Sequence, residues 1–135
     1  MLPQLLGEDA PHTESTRGAV PYTVFLDPPF SRVGLSVEQA KKDEVPVTVY
    51  KMPVAEIPEA KITESTEGHW KILVDDDGII VGATMFGAES QEYINLLTFA
   101  VNEKWHYDKL GDAIYNHPVV VEGLNMIFAP EWKQN

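Results

Sequence analysis

The 135-residue sequence contains no cysteine. That absence excludes a disulfide framework, a thiolate nucleophile, a redox cysteine pair within the chain and any cysteine-held metal. Positive charge is scarce: 10 Lys and Arg stand against 21 Asp and Glu, a formal net charge of −11. Such a surface repels phosphate backbones, so nucleic-acid binding through a basic footprint is not expected. Long apolar runs are missing too. The stretch over residues 119–128 is broken by Glu122, Gly123 and Asn125. It falls short of the roughly 20 apolar residues that span a bilayer. The first residues carry neither a basic cluster nor an apolar core, so no signal peptide is read. Together these features predict a soluble, acidic, cytoplasmic domain with no membrane contact.

Chemical motifs are equally sparse. No Gly-x-Gly-x-x-Gly and no Gly-Lys-Ser/Thr occurs, so the chain has no nucleotide phosphate loop of its own. No serine sits in a nucleophile-elbow context. The histidines His12, His69, His106 and His117 show no metal-ligand spacing, and no metal site is expected. Asp75-Asp76-Asp77-Gly78 lacks the spacing of a calcium loop. Its Asp-Gly pair instead predicts a hairpin turn.

What is present is a patterned domain. At 44% hydrophobic residues the chain can bury a core. Residues 1–19 combine Leu2, Leu5 and Leu6 with a polar, turn-rich stretch, and read as a helix remnant followed by a linker. Residues 22–26 are β-branched and aromatic and predict a strand, closed by Asp27-Pro28-Pro29. Ser36 is a candidate N-cap for a short helix over 36–43, with Gln39 placed to complete a capping box. Residues 47–52 alternate apolar and polar side chains, as a half-buried strand does. Residues 69–74 and 79–86 form the two arms of the hairpin. From Ser90 to Asn102 the period becomes helical, with Tyr93, Ile94, Leu96, Leu97, Ala100 and Val101 on one stripe. Further helices are predicted over 107–115 and 119–128, the last weakened by Gly123 at a cost of about 1 kcal/mol. Gly123 is tolerated there if something packs close. The order predicts an α+β fold, an antiparallel sheet of about four or five strands packed against helices.

One constellation stands apart. His117 precedes a proline, which holds its backbone away from the helical region. Glu122 falls on the early turns of the following segment, where its carboxylate can lean back to the imidazole. A carboxylate on one ring nitrogen fixes the tautomer and makes the other nitrogen a better base. A helix-cap histidine beside a surface glutamate satisfies the same spacing. The chain holds no nucleophile for such a base to serve.

The landmarks resemble a known family. Val20-Pro21-Tyr22-Thr23-Val24-Phe25, Asp27-Pro28 and Arg32-Val33-Gly34-Leu35 look like the opening of the C-terminal dimerisation domain of pyridine nucleotide-disulfide oxidoreductases. These are flavoenzymes of the glutathione reductase and dihydrolipoamide dehydrogenase type. Glu38-Gln39-Ala40 resembles the family's first helix, residues 68–74 and 82–86 its central hairpin, and residues 95–101 its long helix. His117-Pro118 with Glu122 resembles its catalytic His-Pro and glutamate. The similarity runs over about residues 20–128. Pro28-Pro29, Ser31-Arg32-Val33-Gly34 and the stretch over 54–60 are similar to the less-characterised bacterial members.

The resemblance implies a dimerisation domain over 20–130, with residues 1–19 as the junction to a preceding FAD-binding part. It implies a parent that uses FAD and NAD(P)H to reduce a disulfide or related acceptor. In that parent His117 is the acid/base and Glu122 its orienting partner, and His117 and Pro118 lie against the flavin of a second copy. A cis bond before Pro118 is implied as well. A homodimer follows, with Tyr93, Leu97, Phe99, Tyr115 and Phe128 as interface candidates, core packing being the alternative for each, and the isolated chain is expected to be inactive. Val119 departs from the family, which commonly has a small hydroxyl residue after His-Pro, so a cap is lost there. Mercuric reductases carry extra C-terminal cysteines, and Trp132-Lys133-Gln134-Asn135 has none, which sets that reading aside. The alternative is a free-standing binding or scaffold domain of the same fold.

Overall fold

The computed structural model describes residues 17–134. The helix remnant expected around Leu2, Leu5 and Leu6, and all of the expected linker before Arg17, lie outside the described residues.

Five strands form one sheet: β1 (Tyr22–Val24), β2 (Phe30–Gly34), β3 (Val47–Pro53), β4 (His69–Asp75) and β5 (Ile80–Phe86). Their order is β1-β2-β5-β4-β3, and every pairing is antiparallel. The centre is the β4–β5 hairpin. Its turn closes because Asp75 Oδ1 accepts from the N–H groups of Asp77 and Ile79, both at 2.9 Å. Gly78 supplies the positive φ of +82° that the turn needs. An aspartate turn, as the Asp-Gly pair predicted, is what the triplet builds.

Register places the core. Tyr50, Ile72, Ala83 and Val33 stand opposite one another across four strands, and so do Met52, Trp70, Met85 and Ser31. Both rungs are buried. Over this face lies helix α3 (Ser90–Asn102), which crosses β2 and β5 and buries Tyr93, Ile94, Leu97 and Ala100. Its end is clamped to the chain ahead of β1, because the Asn102 side chain accepts from Ala19 N–H at 2.7 Å and donates to Ala19 C=O at 3.3 Å. Among the described residues the short helix α1 (Val37–Lys42) lies beside the other face of the sheet, near β3. Ser36 caps α1 by accepting from Gln39 N–H. Gln39 does not complete the box: its amide donates to Asp43 at 2.7 Å instead.

Three expectations need correction. Residues 30–34 form a strand, although the double proline before them was read only as a terminator. Phe30–Gly34 buries alternate positions, Ser31 and Val33, but the inward Ser31 is polar, so the apolar–polar pattern of a strand does not show in the sequence. Ser31 is accommodated by hydroxyl contacts to Thr23 at 2.8 Å and Ser90 at 2.9 Å. The helix expected over 107–115 is a single turn, α4 (Asp108–Gly111), after the one-turn α2 (Pro58–Ile62). The helix expected over 119–128 is a 3-10 turn over Val120–Asn125. Asn125 ties it to the end of α4 by donating to the carbonyls of Gly111 and Ala113, at 2.8 and 2.9 Å. Tertiary bonds, rather than helix propensity, set this region.

Candidate functional site

The segment between α4 and the Val120–Asn125 turn presents His117. Its start is pinned from inside. Tyr115 donates its hydroxyl to Leu110 C=O at 2.8 Å, and burial raises the phenol pKa to about 12. Its end is pinned by the 3-10 turn, whose Val120, Gly123 and Leu124 are buried. Between these anchors the chain is exposed: Ile114 is fully so, and Asn116, His117 and Pro118 lie on the surface. The His117–Pro118 peptide is cis.

Glu122 is the third residue of the turn and reaches back over its start. Its Oε2 accepts from Val119 N–H at 3.0 Å, and its two oxygens lie 2.9 and 3.0 Å from His117 Nδ1. The Val119 N–H bond first, and the His117 bond second, hold this carboxyl below the ordinary glutamate range. This is half of a capping box. Val119 has no side-chain acceptor to return the bond, which is the physical consequence of a valine at that position.

The electrostatics of the pair follow from its inventory. An ionised carboxylate can only accept, so the proton between the two groups belongs to Nδ1. The neutral ring therefore carries its lone pair on Nε2. That nitrogen has no hydrogen-bond partner among the described residues, and the His117 side chain is 73% exposed against 23% for Glu122. The arrangement is an oriented, outward-facing base on a rigid mount.

The remaining histidines do not join it. His69 lies on β4 against the edge of Phe86. His106 pairs with Asp108 at 3.2 Å and stacks on Tyr107. His12 lies outside the described residues. Among the described residues no group of three His, Asp or Glu is placed to hold a metal. No described helix is long and apolar enough to cross a membrane.

Of the interface candidates, Tyr93 and Leu97 are core residues, 7% and 0% exposed. Tyr93 accepts from the indole N–H of Trp70 at 3.0 Å, deep under α3. Tyr115 and Phe128 are partly buried against the core, and Phe99 is 60% exposed. Besides Phe99, the exposed large apolar side chains among the described residues include Val20, Tyr22, Val24, Phe25 and Leu26 around β1, Ile62, and Ile114 three positions before His117. Ile114 was missed because a helix was expected over 107–115, whereas the structure ends it at Gly111 and leaves Ile114 in the exposed segment that follows. Its signal is local: it stands three positions before the His-Pro pair.

Comparisons with known proteins bear on the fold and the family. Residues 20–127 match the family model of the pyridine nucleotide-disulphide oxidoreductase dimerisation domain. A probable pyridine nucleotide-disulfide oxidoreductase, RclA of Escherichia coli, is 37% identical over 127 residues, covering 93% of this chain and 29% of its own length. The dihydrolipoyl dehydrogenase of Geobacillus stearothermophilus is 31% identical over 105 residues, 77% of this chain and 22% of that protein. The solved structure of the HOCl-induced flavoprotein disulfide reductase RclA superposes with a TM-score of 0.86 at 34% identity, over 94% of this chain and 29% of that one. The chain thus spans under a third of the length of these relatives. On the extent of the family match and the identity to RclA, this chain belongs to the dimerisation-domain family of the pyridine nucleotide-disulphide oxidoreductases.

Proposed function

We propose that this domain pairs with a second copy of itself and supplies His117, oriented by Glu122, as the acid/base of a disulfide-reducing flavoenzyme. The observation that carries the reading is the bond from His117 Nδ1 to the Glu122 carboxylate, with Nε2 turned outward and unpartnered among the described residues. A base facing away from its own core serves chemistry held by another surface. The chain has no cysteine and no phosphate loop. The redox dithiol, FAD and NAD(P)H are therefore assigned to other parts of a longer, cytoplasmic, bacterial parent.

The residues present fit a flavin as an edge contact only. Ile114, His117 and Pro118 form an exposed rim with no donor set for a pyrophosphate. The chemistry FAD supplies when bound is the passage of electrons from NAD(P)H to a disulfide. His117 Nε2 takes the proton from the attacking thiol and returns it to the departing thiolate. Glu122 holds Nδ1–H and stabilises the imidazolium that forms between the two steps. Overall, NAD(P)H, a proton and a disulfide become NAD(P)⁺ and two thiols.

The test uses the full-length parent. His117→Gln should leave flavin reduction by NAD(P)H unchanged and slow reoxidation by the disulfide about 10²–10⁴-fold, the usual worth of a positioned acid/base. Glu122→Gln should slow the same half-reaction less and shift its pH profile. Equal effects on both half-reactions, or on neither, would sink the assignment. Pairing is read separately by light scattering on the 135-residue chain. A mass of twice 15.1 kDa that survives dilution supports the two-fold contact through this domain alone.

A further inference from the structure

The sheet face opposite the core holds a second arrangement, far from His117 in the fold. In the register, Lys51 on β3 stands directly opposite Lys71 on β4. Like charges directly opposite on one face of an antiparallel pair are destabilising. The rung continues through Thr84 to Arg32 on β2, so three cations share one line across four strands. Lys41, in the last turn of α1, overhangs the same place. Among the described residues none of these lysines forms an ion pair, in a chain with 21 carboxylates to choose from.

Beneath the lysines is an open cleft of about 490 Å³ between α1 and the β3 edge. Its floor is aliphatic: Val45, Val47 and Val49, with Val37 and Ala40 of α1. Gln134 closes one end, with its backbone N–H on Val49 C=O at 2.8 Å. Lys41, Lys51 and Lys71 line the cleft, and no Asp or Glu does. Three of the 10 basic residues and none of the 21 acidic ones meet here. The field is felt by neighbours. His69 is held below its ordinary pKa by burial first and then by Lys51 and Lys71. Glu38 is lowered chiefly by backbone and Ser36 hydrogen bonds, with Lys71 and Arg32 adding to them.

We propose that the cleft between α1 and β3 binds an amphipathic organic anion. Its apolar body lies on the valine floor, and its carboxylate or phosphate meets Lys51 and Lys71. The volume falls in the range of small-ligand pockets, and a few charged groups over an aliphatic lining is their usual composition. An anion between the two ammoniums removes the like-charge contact that the sheet register imposes. The flat, open shape favours a chain or fused ring over a compact polar ligand.

The test is methyl and amide NMR on the 135-residue chain, titrated separately with octanoate, octanol and inorganic phosphate. Octanoate should shift the methyls of Val45, Val47 and Val49 saturably and bind at least about fivefold tighter than octanol. The double variant Lys51→Gln, Lys71→Gln should erase that advantage while leaving octanol binding and the dispersion of the spectrum unchanged. Raising the salt concentration should weaken octanoate binding and leave octanol binding unchanged, as screening of partly exposed charges requires. Three results would overturn the proposal. Octanoate no tighter than octanol removes the role of the lysines, and so does a double variant that binds octanoate as before. Phosphate as tight as octanoate would reduce the cleft to an electrostatic patch with no use for its floor.

Discussion

The indole of Trp70 occupies the space that a side chain on Gly123 would need. A Cβ built on Gly123 falls 2.5 Å from Trp70 Cζ3 and 2.7 Å from Ile57 Cδ1. The isoleucine end can swing away, but the indole cannot. It is 0% exposed, and its N–H is committed to Tyr93 Oη at 3.0 Å. Gly123 is thus the contact through which the turn bearing Glu122 sits on the sheet. Gly123→Ala gains about 0.4–1 kcal/mol through a less flexible unfolded chain. It loses about 1–3 kcal/mol by overpacking. A net destabilisation of about 1–2 kcal/mol is expected from the urea midpoint. Gly111→Ala is the control, since its Cβ meets only Phe128 at 3.3 Å. Equal midpoints for Gly123→Ala and the parent would remove this account of the docking.

Much of this is legible in the sequence. Period two over residues 47–52, the Asp77-Gly78 turn between the arms 69–74 and 79–86, and the helical stripe after Ser90 are local signals. They gave β3, β4, β5 and α3. The requirement that something pack close to Gly123 was also readable, though not that Trp70 fills it. The illegible parts depend on distant partners. β2 was missed because its inward Ser31 looks polar until Thr23 and Ser90 are seen to satisfy it. The last two helical segments are short, and they are joined by the Asn125 amide on Gly111 and Ala113, a pairing that no local pattern announces. At the site, the five-residue step from His117 to Glu122 could be read from the chain. The exposure of Ile114 and the Val119 N–H bond that positions the carboxylate could not, since both depend on how the turn sits on the sheet.

Alkaline pH should unfold the domain through its buried phenols. Burial raises Tyr115 to about 12, raises Tyr93 well above its usual value and raises Tyr50 as well. An unfolded tyrosine titrates near 10. Between those values the unfolded chain has lost protons that the folded chain keeps, so stability falls as pH rises. The contribution is complete below about pH 10 and is lost as pH passes the folded values. The urea midpoint should hold from pH 8 to 9.5 and then decline through pH 11.5. Tyr115→Phe should cost about 1 kcal/mol at neutral pH, from the bond to Leu110, and should flatten the alkaline decline. A midpoint that stays level to pH 11.5 would contradict the burial of these hydroxyls.

The tautomer of His117 should report directly on Glu122. The carboxylate lies at hydrogen-bonding distance from Nδ1, so the neutral ring carries its proton there and leaves Nε2 as the acceptor. Ring ¹⁵N shifts near pH 8.5 should show Nδ1–H predominating. Glu122→Ala removes the acceptor, and the ring should become a mixture of tautomers. Glu122→Gln keeps an oxygen in place and should preserve the Nδ1–H form. The same alanine variant frees Val119 N–H, so its amide exchange should accelerate while those of α3 do not. Acid offers an independent check. The folded carboxyl titrates below the unfolded one, so its contribution is present above the ordinary glutamate range and is lost as pH falls through the folded value. Protection of the Val119 amide should therefore persist at pH 4.5 and fade only at lower pH. Identical ring shifts in the parent and in Glu122→Ala would mean that the imidazole is not held by the carboxylate, and the oriented base would lose its foundation.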